Sequence, residues 1–214
     1  MKYKHVVFDW DGTLADTYAI ISAAYDYAFE KMKLPKISHD ELRRVASTIQ
    51  NREMLGYIFK NRKDEAAKYF YEYIEKYHVK NLAPQPGAKE LLDFCKKAGV
   101  ATYLLTNKKT KFINEELSAL GFAGYFKKVV AAGECAHDKP HPVACCAVFD
   151  GNVPQAKDIL VIGDGEADAL TAKALNGADC LIYDPKQKYK GMVPTYKIDR
   201  LIDAEAILES VDDR

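Results

Sequence analysis

An apolar run that ends in two carboxylates occupies residues 5–14, which read His5-Val6-Val7-Phe8-Asp9-Trp10-Asp11-Gly12-Thr13-Leu14. The run over residues 5–8 is short, apolar and partly β-branched, which predicts a buried strand. Asp9 and Asp11 follow directly, and Gly12 lets the chain turn sharply. A turn that simply ends the strand would explain these residues, since Asp and Gly are common in turns. The alternative is a bound cation, because burying both carboxylates together is costly without a counter-charge.

A second pair of carboxylates follows the apolar run over residues 159–162. Asp164 and Asp168 lie four residues apart where this predicted strand gives way to a helix. Acidic residues at a helix start also cap it and complement its dipole, and for this pair alone that interpretation stays open. Four aspartates at two strand ends are better explained by a shared hard cation with oxygen ligands. Mg²⁺ is the natural candidate.

Two polar segments complete a predicted anion site. Thr106 and Asn107 follow the strand predicted over residues 100–105, and their hydroxyl and amide groups can hydrogen-bond an oxyanion. Lys139 comes just before a predicted helix with a proline in its first turn. A lone lysine is usually a solvated surface charge. The carboxylates expected nearby favour a functional lysine here.

From about residue 84 onward, short apolar runs alternate with segments of helical spacing, such as residues 87–98 and 166–176. The apolar runs lack a period of two, which is typical of parallel strands covered on both faces. The pattern predicts an α/β fold, a Rossmann-like parallel sheet wound with helices on both faces. Sites in such sheets lie at the carboxyl ends of the strands. Strands are predicted over residues 5–8, 100–105, 128–131, 159–162 and 180–183.

Residues 15–83 interrupt this alternation. They contain no convincing strand and read as three or four helices, one of them opened by the capping box Ser38-His39-Asp40-Glu41. Aromatic residues are dense in this segment. A helical bundle with its own core explains them better than an aromatic stripe reserved for a ligand. We therefore predict a small all-helical domain over residues 15–83, inserted into an α/β core formed by residues 1–14 and 84–214.

The composition is that of a globular protein. Of 214 residues, 48% are hydrophobic and 29% charged, which suits a packed core and a solvated surface. Lys and Arg number 31, as do Asp and Glu, so the balanced charge disfavours a nucleic-acid partner. The five cysteines show no disulfide or zinc spacing, and no apolar run approaches the roughly 20 residues of a membrane helix. We expect a soluble cytoplasmic protein that binds neither nucleic acid nor a membrane.

The four motifs together resemble those of the haloacid dehalogenase superfamily of phosphohydrolases. That family's DxDGT motif is matched by Asp9, Asp11, Gly12 and Thr13. Its strand-end Ser or Thr, its Lys and its GDxxxD motif are matched, in the same order, by Thr106, Lys139, Gly163, Asp164 and Asp168. The motifs bracket most of residues 4–184. The helical insert directly after DxDGT resembles that family's cap domain of the first type.

The resemblance implies a role for each motif residue. Asp9 is the expected nucleophile, which forms an aspartyl-phosphate, and Asp11 the expected general acid and then base. Lys139 and Mg²⁺ would offset the repulsion between a carboxylate and a phosphate dianion. The implied metal ligands are the Asp9 side chain, the Asp11 backbone carbonyl and Asp164, with Asp168 as an alternate ligand or a support. The implied phosphoryl-binding groups are those of Thr106, Lys139 and the backbone near Gly12 and Asn107.

The substrate is the most open question. A carboxylate at position 11 favours a phosphatase over the dehalogenase and phosphonate-cleaving branches. The run over residues 106–108 resembles phosphoglycolate phosphatases, and we hypothesise that Arg52 of the cap reads an anionic leaving group unless it is a surface charge. Alternatives are a β-phosphoglucomutase-like phosphoryl transfer, a 5′-nucleotidase or a sugar-phosphate phosphatase. A non-catalytic binding protein is disfavoured because every motif residue is present. The expected partner is a small phosphorylated metabolite, and the chain is expected to be a monomer or a homodimer.

Overall fold

The computed structural model describes residues 1–46, 51–80 and 82–210. The chain divides into two compact units, of which one consists of Met1–Asp16 and Ala83–Arg214 and the other of Thr17–Leu82. The first unit contains the sheet. The described residues of the second form helices and no strand. Its role as a cap stays a prediction.

The first unit contains the strands β1 (His5–Phe8), β2 (Ala15–Asp16), β3 (Ala83–Pro84), β4 (Ala101–Lys109), β5 (Lys128–Ala132), β6 (Ile159–Gly163), β7 (Asp179–Tyr183) and β8 (Tyr196–Ile198). Six of them form a parallel sheet at its centre, in the order β5-β4-β1-β6-β7-β8. The two-residue strands β2 and β3 pair with each other, antiparallel. The predicted α/β fold with a Rossmann-like parallel sheet is confirmed.

Helices connect the strands and form the second unit. They are α1 (Tyr18–Lys31), α2 (His39–Ala46), α3 (Asn51–Phe59), α4 (Lys63–Tyr77), α5 (Ala88–Lys97), α6 (Thr110–Leu120), α7 (Pro142–Ala147), α8 (Glu166–Ala174) and α9 (Ala204–Glu209). Short 3-10 turns occur at Lys60–Arg62, Ala123–Tyr125, Ala156–Asp158 and Leu201–Asp203. None of the helices in the described part of the chain is long and apolar enough to cross a membrane.

Both faces of the sheet are covered. Val7 and Val161 belong to one apolar cluster with residues of α7 and α8. Successive strand residues point to opposite faces, and Phe8 and Ile162 are as fully buried as their neighbours. The near-continuous apolar runs of β1 and β6 follow from this double burial.

The central strands end in register. Phe8 of β1 lies opposite Leu104 of β4 and Ile162 of β6. The Asp9 amide then donates a hydrogen bond to the Ile162 carbonyl at 2.9 Å. The residues that follow these three strands therefore meet at one edge of the sheet.

The sequence analysis did not predict three of the strands. β8 is three residues long, and its middle residue Lys197 is exposed, so it lacks the apolar run of a central strand. β2 and β3 contribute two residues each, too few for any periodic pattern. All three are stabilised by pairing across the chain, which local sequence does not report.

The second unit has a core of its own. Tyr25, Phe29, Phe59 and Ala66 are buried in one cluster, against which Phe70 packs. The dense aromatic set is not uniformly interior, however, because Tyr57 is 57% exposed.

Candidate active site

The loop after β1 holds Asp9 and Asp11 at the carboxyl edge of the sheet. The backbone amides of residues 13, 14 and 15 all donate to the Trp10 carbonyl, at distances of 3.2, 3.0 and 3.0 Å. Gly12 adopts a φ of +83°, which residues with a side chain rarely adopt. The tight turn thus presents the two aspartates where the strand ends.

Lys139 lies buried between two carboxylates. Its Nζ donates to Asp9 Oδ1 at 2.5 Å and to Asp168 Oδ1 at 2.8 Å. Burial by itself would lower the pKa of this lysine, but the charges on Asp168 and Asp9 more than compensate and raise it. Lys139 is therefore a fixed positive charge beside Asp9 and not a solvated surface group.

Asp9, Asp164 and Asp168 form a cluster in which carboxylate oxygens lie within 4.8 Å of one another. Burial raises the pKa of Asp9 to about 7, with a further rise from Asp168, although Lys139 opposes the change. Asp164 is exposed as a residue, but its carboxyl group lies against Gly12 and beside Asp9 and Asp168. The loss of hydration there, together with Asp9 and Asp168, raises its pKa well above the ordinary value. Three carboxylates beside one ammonium leave an excess of negative charge.

The donor set of this cluster fits a hard divalent cation. All three side chains offer carboxylate oxygens, which are the ligands that such cations take in proteins. Gly12 lets the Asp164 carboxylate lie close to the loop after β1, because an added Cβ at position 12 would lie 2.2 Å from Asp164 Oδ2. A cation bound here would also neutralise the charge excess.

Both carboxylate oxygens of Asp168 accept hydrogen bonds. Oδ1 accepts from Lys139, and Oδ2 accepts from the Gly165 amide at 3.1 Å at the start of α8. An added Cβ at Gly163 would lie 2.0 Å from Asp168 Cγ, so this glycine makes room for the carboxyl group. Asp168 therefore caps a helix and holds the lysine at the same time.

Thr106 and Asn107 occupy the end of β4. Thr106 is buried, and its hydroxyl accepts from the Lys108 amide at 3.1 Å. The Asn107 side-chain amide donates to the Lys139 carbonyl at 3.0 Å and so ties the lysine loop to β4. Asn107 Oδ1 and Thr13 Oγ1 are buried and have no hydrogen-bond partner among the described residues. The side-chain nitrogen of Asn107 thus supports the site.

The sequence prediction missed Lys108 and Glu116. Lys108 Nζ lies 2.7 Å from Asp11 Oδ1 and 2.7 Å from Glu116 Oε2. Glu116 is completely buried on the face of α6 that also carries Phe112 and Ile113. The sequence does contain a signal for this pair. A glutamate at an apolar position of a helix predicts a buried charge, and a buried charge requires a partner.

The predicted substrate contact Arg52 belongs to α3, but its side chain lies outside the described residues, as do residues 47–50. Its role therefore stays a prediction.

A known protein family matches most of the chain. Residues 6–181 match the family described as haloacid dehalogenase-like hydrolase. The chain belongs to this family. Among curated haloacid dehalogenase-like relatives, the phosphoglycolate phosphatase of Vibrio parahaemolyticus is 27% identical over 180 residues, 79% of each chain. The phosphoglycolate phosphatase of Pseudomonas putida is 28% identical over 220 residues, which cover 97% of this chain and 76% of the relative.

A solved structure supports the same conclusion. The haloacid dehalogenase-superfamily hydrolase GSU2069 of Geobacter sulfurreducens is 27% identical, with a TM-score of 0.72 and coverage of 97% of both chains. The predicted family and the predicted enzyme class, a phosphoric monoester hydrolase, are confirmed.

Proposed function

We propose that this haloacid dehalogenase-like hydrolase is a Mg²⁺-dependent phosphatase of a small phosphomonoester, with phosphoglycolate as the favoured substrate. The observation that carries the proposal is the buried 2.5 Å contact between Lys139 and Asp9, with two more aspartates beside it. A carboxylate next to a fixed ammonium can approach a phosphate dianion because the ammonium offsets their repulsion. The names of the curated relatives support the choice of phosphoglycolate.

In the first half-reaction, Asp9 is the nucleophile. One of its carboxylate oxygens forms a bond to phosphorus while the bond from phosphorus to the ester oxygen breaks. Asp11 donates its proton to the departing alkoxide, which leaves as an alcohol. The products of this step are the free alcohol and an aspartyl-phosphate on Asp9.

In the second half-reaction, water attacks the phosphorus atom and Asp11 accepts a proton from that water. The bond between phosphorus and the Asp9 oxygen breaks, and inorganic phosphate leaves. Asp9 is then a carboxylate again and Asp11 is protonated, so the enzyme is ready for another cycle.

Binding groups surround these two aspartates. Asp9, Asp164 and the backbone carbonyl of Asp11 would hold Mg²⁺, which supplies positive charge against the phosphoryl oxygens when bound. Asp168 is assigned to Lys139 instead, because both of its oxygens are in use. The phosphoryl oxygens are assigned to the Thr106 hydroxyl, the Lys139 ammonium and backbone amides near Gly12 and Asn107. The Gly12 amide itself already donates to the Ala15 carbonyl at 2.9 Å.

Replacement of the nucleophile tests the proposal. Wild-type protein with Mg²⁺ is expected to release phosphate from phosphoglycolate and from p-nitrophenyl phosphate, and Asp9→Asn should lower kcat on the order of 10³-fold or more. Asp16→Asn changes an exposed carboxylate on β2 and serves as the matched control. Activity that survives in Asp9→Asn would refute the assignment. An isomerised sugar phosphate from a hexose phosphate would indicate a mutase, and a higher kcat/KM for nucleotides or sugar phosphates would change the substrate.

Substrate selection by the inserted segment has its own test. If Arg52 reads the carboxylate of phosphoglycolate, Arg52→Ala should raise KM for this substrate on the order of tenfold and leave the KM for glycerol 2-phosphate almost unchanged. Arg62→Ala provides a matched control, since Arg62 pairs with Glu65 at the surface of the same unit. An unchanged kcat/KM for phosphoglycolate would eliminate the Arg52 hypothesis.

A further inference from the structure

Lys108 places a buried ammonium next to Asp11. Its Nζ lies 2.7 Å from Asp11 Oδ1, and the lysine side chain is only 10% exposed. A lysine ammonium therefore borders the expected proton donor.

Glu116 anchors this ammonium from behind. Lys108 Nζ donates to Glu116 Oε1 at 2.8 Å and to Oε2 at 2.7 Å. The Trp10 indole N–H also donates to Glu116 Oε2, at 2.5 Å. Burying a carboxylate is costly, and it is tolerated in a fold when several donors satisfy it in this way.

Trp10 extends the chain of contacts back to the loop after β1. The residue is fully buried, lies between Asp9 and Asp11 in sequence, and packs edge-on against Phe122 at 6.2 Å between ring centroids. The glutamate thus receives a donor from the same loop that carries Asp11. Loop and lysine are bound to one buried group on α6.

The geometry of Lys108 argues against a direct role in holding substrate. A lysine ammonium has three N–H donors. Three oxygen atoms lie within 2.8 Å of Nζ, one on Asp11 and two on Glu116. Two of these donors serve Glu116, and the ammonium charge is shared between Glu116 and Asp11.

We propose that Lys108, anchored by Glu116 and Trp10, is a positioning residue that fixes the Asp11 carboxyl group for proton transfer to the leaving group. This rests on the proposed function, in which Asp11 protonates the departing alkoxide. Protonation matters most for alkyl phosphates, whose alkoxides are poor leaving groups. It matters little for p-nitrophenyl phosphate, because nitrophenolate leaves as a stable anion.

The test measures kcat/KM, which reports only the steps through transfer to Asp9, provided that transfer is irreversible. Lys108→Gln is expected to lower kcat/KM for phosphoglycolate and for glycerol 2-phosphate on the order of tenfold more than for p-nitrophenyl phosphate. In an Asp11→Asn background, the same substitution should add no further difference between the alkyl and aryl substrates. Glu116→Gln should show the same selectivity to a smaller degree.

The controls separate positioning from general damage. Lys109→Gln removes the charge of the neighbouring exposed lysine and should leave kcat/KM for all three substrates unchanged. Lys108→Gln with Glu116→Gln removes both buried charges together, so it avoids an unpaired carboxylate and decides the matter if the single variant does not fold. Equal losses on all substrates, or no loss on the alkyl phosphates, would overturn the proposal.

Two further outcomes have distinct meanings. A loss confined to phosphoglycolate would show that Lys108 contacts the substrate carboxylate, which also overturns the positioning role. The proposed function fails by different observations. Either wild-type protein releases no phosphate, or the Asp9→Asn variant still releases it. Either of these would remove the basis for the role of Lys108 as well.

Discussion

Asp168 shows how one side chain serves the fold and the site together. Its two oxygens accept from Lys139 and from the Gly165 amide, so helix α8 begins where the lysine is held. The motif spacing alone left helix capping and metal binding open as explanations. The tertiary structure distinguishes the two aspartates. Both oxygens of Asp168 accept hydrogen bonds, whereas Asp164 makes no such side-chain bond with the part of the chain that the structure describes.

This difference leads to a prediction about metal binding. A ligand that binds only the folded state raises Tm, so Mg²⁺ should stabilise wild-type protein. Asp164→Asn is expected to remove most of the Mg²⁺-induced rise in Tm, whereas Asp168→Asn should keep it while lowering stability by about 1–3 kcal/mol through the loss of a buried Lys139 partner. Thermal unfolding with Mg²⁺ and with a chelator measures both effects. An equal loss of the Mg²⁺ response in the two variants would make Asp168 a direct ligand.

At the scale of elements, the connection from β7 to β8 is organised by Asp184. The Asp184 carboxylate accepts from the amides of Lys188 and Tyr189, each at 2.8 Å, and pairs with Lys197 of β8 at 2.8 Å. Burial alone would raise the pKa of Asp184, but the hydrogen bond from Lys197 and the two amides lower it. An edge strand with little apolar sequence is thereby attached to the sheet.

The pH dependence of this attachment follows from the direction of the shift. A carboxylate with a depressed pKa stabilises the fold above its unfolded pKa of about 4, and this contribution is lost as pH falls through the lower folded value. Asp184→Asn should lower the free energy of unfolding by about 1–3 kcal/mol at pH 7. Denaturant unfolding from pH 7 down to pH 3 should show the gap between wild type and variant closing. Asp203→Asn, which breaks an exposed pair with Arg200, should cost less than about 0.5 kcal/mol, and a pH-independent gap at Asp184 would contradict the account.

At the scale of the whole molecule, two chain crossings join the units, and they lie side by side in the first unit. Asp16 of β2 is paired with Ala83 of β3, and the Gln85 amide donates to the Leu14 carbonyl at 2.9 Å. Each unit contains a buried cluster made from its own residues. The inserted segment therefore leaves and re-enters the first unit through a single hairpin-like pair.

Excision of the insert tests whether the first unit folds without it. Replacing residues 17–82 by Asn-Gly should close β2 and β3 as a two-residue hairpin, because Asp16 and Ala83 are direct partners. The shortened protein is expected to unfold cooperatively, with a circular dichroism spectrum of a helix-flanked sheet. Aggregation, or unfolding without a cooperative transition, would show that the first unit requires the insert.

The sequence by itself determined the α/β class, the covered central strands and the aspartates at the strand ends. These features follow from local periodicity and from the rule that parallel strands end at a common edge, which short-range patterns report directly. Tertiary structure alone decided that Asp168 holds Lys139, that Glu116 binds Lys108 and Trp10, and that β8 joins the sheet. Each of those contacts joins residues distant in sequence or depends on burial, so its energy arises only once the chain has folded.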